Sequence, residues 1–164
     1  IIMAETLSVT DMLPNKFEPK RGYRWVLAIE GIDAFLMQTA ARPTINISSS
    51  EIKFINSYRN ISGKLTFGDL SVKLHDPIAP SGAQQVMEWI RTHYESVSGR
   101  AGYADFYKRD IQLKMLDPIG TVVELWDIKG AIITSANFGS LSYDGEDVMG
   151  IDLGIKYDNC VLQF

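Results

Sequence analysis

Hydrophobic and polar positions alternate with period two along most of the chain, and the breaks in that alternation divide it into elements. In YRWVLAIE, residues 23–30, Tyr23, Trp25, Leu27 and Ile29 share one face, while Arg24, Val26, Ala28 and Glu30 share the other. Gly31-Ile32-Asp33 reads as a turn and AFLMQTA as the returning strand, so residues 23–41 are expected to form a β-hairpin. Arg42-Pro43 ends it, since proline brings no ladder donor. Residues 44–64 mix short β-prone pieces with serine and asparagine. Two short strands, 51–55 and 57–61, are expected inside a long loop spanning 42–64, and an excursion of that size usually faces a partner. The next stretch, LTFGDLSVKLHDP (residues 65–77), changes parity midway: Leu65 and Phe67 lie on one face, Leu70, Val72 and Leu74 on the other. Gly68-Asp69 at the crossover is expected to act as a β-bulge that bends one strand across two packing surfaces.

Only residues 81–98 carry helical spacing. Ala83, Val86, Met87, Ile90, His93, Tyr94 and Val97 make one apolar stripe, Ser81 with Gln84 matches a capping box, and Gly99 supplies the stop. Beyond an aromatic loop, SGRAGYADFYKRD, the residues Ile111, Leu113 and Met115 alternate inward, and Asp117-Pro118-Ile119-Gly120 turns the chain. TVVELWDIKGAIIT reads as a strand of about eight to ten residues, apolar on both parities over 122–128. Met149, Ile151, Leu153, Ile155 and Tyr157 then alternate with Gly150, Asp152, Gly154, Lys156 and Asp158. Many strands, one helix and no internal repeat predict a mainly β fold: two orthogonally packed antiparallel sheets, a sandwich or barrel, with one α-helix. The proline-bearing residues 1–20 read as an extended arm before a single β domain at 21–164.

Composition narrows the function classes. A chain of 164 residues supports one domain with a true core. A net charge of −4 argues against a protein that grips nucleic acid through its phosphates. The lone Cys160 excludes an internal disulfide. No apolar run approaches membrane-helix length, and the opening IIMAETLSVT lacks the pattern of a secretory signal, so no membrane anchor is expected.

Candidate chemistry is sparse. His75-Asp76 could do proton chemistry in a triad, but that needs a nucleophile held against the imidazole; His-Asp-Pro is read as a strand end and turn. His75, His93 and Cys160 show no metal-ligand spacing, and His93 is expected half-buried on the helix stripe. Asp144, Glu146 and Asp147 lack the rest of a calcium loop and read as an acidic turn. Arg91, Arg100, Lys108 and Arg109 with Tyr103, Phe106 and Tyr107 could stack bases, but interspersed acids make protein contact the better fit. No catalytic residue, cofactor or metal is expected.

The order of these motifs resembles the tail tube proteins of contractile-tailed bacteriophages, which are related in fold to type VI secretion tube proteins. The likeness runs over residues 20–160: YRWVLAIEGIDAFLMQTA, a long loop, LTFGDLSVKLHDP, QQVMEWIRTHYES, and LWDIKGAIITSANFGSLSYDGEDV closing into YDN. Ile133 stands where that pattern often has proline. The resemblance implies a structural subunit of six-fold rings stacked into a hollow tube, with one sheet of every copy joined into a continuous barrel around the lumen. It implies copies of the same chain, a sheath protein, baseplate and terminator proteins as partners, with tape-measure protein and DNA passing through the lumen unbound. It places the protein in the virion, assembled in the host bacterial cytoplasm. Ring contacts are then expected at Arg42, Glu51, Lys53, Phe54, Tyr58 and Arg59, and a lumen face at Asp152, Lys156 and Asp158. A contractile injection or type VI tube passing effectors, a single-ring baseplate or terminator homologue, and a small-ligand or enzymatic barrel using His75-Asp76 are the competing readings.

Overall fold

A computed structural model describes residues 16–164. Residues 1–15, most of the expected arm, lie outside that range. The main sheet has the strand order β1-β8-β9-β10-β5-β2, with β11 pairing β9 off this path. These strands are β1 (Trp25–Ile29), β2 (Met37–Ala40), β5 (Leu70–His75), β8 (Arg109–Leu116), β9 (Val122–Asn137), β10 (Gly150–Lys156) and β11 (Asn159–Leu162). All pairings are antiparallel. The long β9 belongs to two ladders in succession. Its first part pairs with β8 and β11, and residues 132–137 pair with β10. Gly130, at φ +69, marks the change of ladder; a side chain there would be strained and would also run into the Asp158 carboxylate. The result is sheet A (β1, β8, β9, β11) and sheet B (β9, β10, β5, β2) sharing one strand.

The core fills the space between the two ladders. Leu27, Ile29, Ile111, Leu113 and Ile128 come from sheet A, and Val72, Leu74, Ile151, Leu153 and Ile155 from sheet B. These are the inward parities expected for residues 111–115 and 151–157. The helix α1 (Gly82–His93) contributes Val86 and Trp89, both buried. Trp89 anchors it: the indole Nε1 donates to the Tyr107 carbonyl at 2.8 Å, and the Arg109 guanidinium lies 5.0 Å from the ring centre.

Several expectations are corrected. Residues 23–41 do not form a hairpin. A 3-10 turn at Ala34–Leu36 separates β1 from β2, and they lie at opposite ends of the strand order, paired to β8 and β5 respectively. The parity change at Gly68-Asp69 is not a bulge within one strand. The strand β4 (Ser57–Phe67) ends there, the Gly68 N–H donates to the Thr44 carbonyl at 2.8 Å, and β5 begins in a different sheet. The helix stops at His93, not residue 98. Tyr94–Glu95 (β6) and Arg100–Ala101 (β7) pair instead as a small hairpin, which leaves Tyr94 and Val97 exposed. Ser81 is the N-cap without a side-chain bond; the Asp76 carboxylate accepts from the Ala83 N–H at 3.2 Å in its place. His93 is exposed and meets Tyr107 edge-on at 4.6 Å between ring centres. A four-residue helix α2 (Ala104–Tyr107) sits within the aromatic loop.

Candidate functional site: free sheet edges and a projecting hairpin

The segment expected as a loop at 42–64 is a regular β-hairpin. The strand β3 (Ile45–Phe54) pairs with β4 from Ile45–Phe67 at the root to Phe54–Ser57 at the tip. It forms a sheet of its own. Every residue of β3 is exposed on both faces, as is nearly all of β4. Ile45, Ile47, Ile52, Phe54, Tyr58 and Leu65 all stand in solvent. A lone two-stranded hairpin is marginal in water, and this one leaves a large apolar surface uncovered. The hairpin carries Lys53, Arg59 and Lys64 against Glu51, so it is cationic on a chain of net charge −4. Among the ring-contact expectations, Glu51, Lys53, Phe54, Tyr58 and Arg59 all lie on it: Lys53 faces Tyr58, and Glu51 faces Asn60.

Arg42 lies elsewhere, at the hairpin's root. Its Nη1 is 3.5 Å from Oε1 of Glu124, a carboxylate on the inward parity of β9 with only 4% of its side chain exposed. Lys20 and the Trp126 indole N–H also donate to Glu124. One buried acid thus ties the segment before β1, the hairpin root and the core together. Burial alone would push this carboxyl up, but the bonds from Lys20 and Trp126 and the nearby cations Lys20 and Arg42 outweigh it and hold it below its ordinary value. Sequence reading passed over Glu124. The available signal was an acid at an inward position between apolar neighbours.

Among the described residues, sheet B is open on both sides: no strand pairs with β2 on the side away from β5. Along β9, β8 reaches only Ala131, so residues 132–137 have no strand partner opposite β10 among the described residues. The outer face of this sheet is polar and short-chained: Ser71 lies opposite Gly154, Lys73 opposite Asp152, and Ser135 opposite Gly154 on the other flank. Asp152 and Lys156 are exposed on this face. Asp158 lies past the end of β10, where its carboxylate accepts from Lys108 at 2.6 Å.

Among the described residues, no hydrogen bond ties His75 or Asp76 to a nucleophilic side chain. His75 is exposed at the end of β5 opposite Gly150, and Asp76 caps α1. Cys160 is buried on β11 opposite Ile128, and burial pushes its thiol up. Among the described residues, no group of three or more His, Cys, Asp or Glu could hold a metal ion, and no helix is long and apolar enough to cross a membrane. In the basic-aromatic cluster, Arg109 stacks on Trp89 and donates to the Glu30 carbonyl at 2.6 Å, while Tyr103 and Phe106 stay exposed.

No protein-family model matches the chain, and no curated sequence does. Solved structures do. A chain of the anti-feeding prophage cap (AFP tube terminating cap) superposes with a TM-score of 0.72 at 17% identity, over 99% of this chain and 97% of that one. A chain from the sheath/tube terminator of PVC, an extracellular contractile injection system, gives 0.73 at 14% identity over 91% and 99%. Hcp1 from Flavobacterium johnsoniae gives 0.52 at 11% identity over 86% and 95%. The fold is therefore that of tube-related proteins of contractile injection systems.

Proposed function

We propose that the chain is a structural subunit of the hollow tube of a contractile machine, in which copies complete one another's sheet B around a ring. The observation that carries this is the pair of free edges. In sheet B the strand directions alternate from β9 to β2. With four strands per copy, the β2 of one copy and residues 132–137 of the next meet antiparallel under rotation, so alternation continues around the ring. Closure removes edges that would otherwise recruit chains indiscriminately. The outer face of sheet B then lines the channel. Lys73 and Lys156 stand there against Asp152 among serines and glycines, a nearly neutral surface that grips nothing passing it.

The finer reading is a phage tail tube of stacked hexameric rings delivering the genome, with a sheath outside and baseplate and terminator proteins at the ends. The hairpin, with its exposed Phe54 and Tyr58, is the contact to a neighbouring copy. A second reading, a tube, cap or terminator ring of an injection system passing protein cargo, is favoured by the fold likeness to the anti-feeding prophage cap and PVC chains. Sedimentation and negative-stain imaging across a concentration series test the proposal. Rings or tubes with an open centre are expected; a monomer persisting to the solubility limit would refute it.

A further inference from the structure

The two ends of sheet B carry opposite charge: one bears an acidic loop with exposed apolar side chains, the other a cationic rim over a cleft with an apolar floor. The register sets the poles. Met37, His75, Asn137 and Gly150 lie at one end of the strands; Ala40, Leu70 and Lys156 lie at the other. The loop from Asn137 to Gly150 therefore projects at the first pole. It bears Asp144, Glu146 and Asp147, and its Leu141, Tyr143 and Val148 are 86%, 110% and 86% exposed. Among the described residues, none of the three acids has a cation within ion-pair distance.

At the second pole, beside the hairpin root, lies a cleft of about 220 Å³. Its floor is apolar, with Trp25, Ala40, Leu113 and Met115, and its rim holds Lys20, Arg21 and Arg42. Glu124, outside the lining, is engaged by both Lys20 and Arg42, so among the described residues the three rim cations keep a positive surplus. Within one copy the loop and the cleft sit at opposite ends of the same strands and cannot meet.

We infer that the acidic loop at 138–149 of one copy docks in the Lys20–Arg21–Arg42 cleft of another, joining copies head to tail along the strand direction. The side chains of Leu141 or Tyr143 would cover the apolar floor while the acids meet the rim. Such a contact is heterologous and does not close on itself, so it propagates. Charge complementarity sets its polarity and its partner, since loop against loop or cleft against cleft brings like charges together. The inference rests on reading the chain as a tube subunit, and it favours a stacking ring over a single terminal one.

The test uses two full-length variants, D144K/E146K/D147K in the loop and R21E/R42Q in the cleft; the latter leaves Lys20 on Glu124. Each alone should lose stacking by about tenfold or more in concentration, and an equimolar mixture should recover it, because every altered loop then finds an altered cleft. Raising salt should weaken stacking of the wild type. Wild-type tubes that both variants reproduce unaided would overturn this contact and leave the tube proposal standing. Rings that form without stacking would overturn it likewise, and so would a mixture that stays unstacked. A wild type that never associates would refute the tube proposal itself.

Discussion

Glu124 is the residue on which the assembly surfaces converge, because it fixes both the hairpin root through Arg42 and the preceding segment through Lys20. Charged hydrogen bonds to a buried group contribute about 1.5–3 kcal/mol each, so E124Q should destabilise the folded chain by about 1–3 kcal/mol in urea titrations. Its carboxyl is held below the ordinary value, so the associated stability is fully present above the ordinary carboxylate range and is lost as pH falls through the folded value. Acidification should lower the wild-type urea midpoint, and E124Q should flatten that dependence; an equal acid limb in both would place the titration elsewhere. Tyr157 makes the opposite case. It is 9% exposed, packs with Phe67 at 5.6 Å between ring centres, and among the described residues its hydroxyl makes no well-formed side-chain bond, meeting the Thr44 backbone instead. With so little bonding to lose, Y157F should change stability by no more than about 1 kcal/mol, read as a thermal melt.

The hairpin is separable from the body. Its root is closed by the Gly68-to-Thr44 bond, and its strands add nothing to the core beyond Phe67 at the base. Replacing residues 46–66 with a short glycine-bearing turn, keeping Ile45 and Phe67, should leave the melting temperature within a few degrees. Self-association should weaken in sedimentation; a large loss of stability would mean that the hairpin belongs to the folding unit. Sequence pattern located this element but missed its regularity, because a strand pair exposed on both faces has no alternation to read. Where one face is buried, as at Ile151, Leu153 and Ile155, the period was legible and the parity held. The presumed hairpin at 23–41 failed for a tertiary reason. Its two strands alternate correctly, but a 3-10 turn sends them to different sheets, and pattern does not encode partners. The helix overran because Tyr94 and Val97 keep helical spacing with Ile90, while the turn before Gly99 pulls Tyr94–Glu95 into a strand pair. Trp89, its largest buried side chain, lay off the apparent stripe.

At the scale of the whole molecule, two partial sheets share one long strand around a common core, and among the described residues one of them ends in two unpaired edges. Around that sheet the hairpin lies at one pole, the segment read as an acidic turn at the other, and Asp152 and Lys156 on the face between them. The residue pattern alone did not supply the incompleteness, which entered only through the family resemblance, since a free edge is defined by what is absent beside it. Amide hydrogen exchange across the association transition reads that property directly. In dilute monomer, β2 and residues 132–137 should exchange rapidly relative to β5 and β10, and on assembly both edges should become protected together. Assembled protein whose two edges exchange as fast as in the monomer would contradict the account, because the copies would then be held by contacts that leave the sheet open.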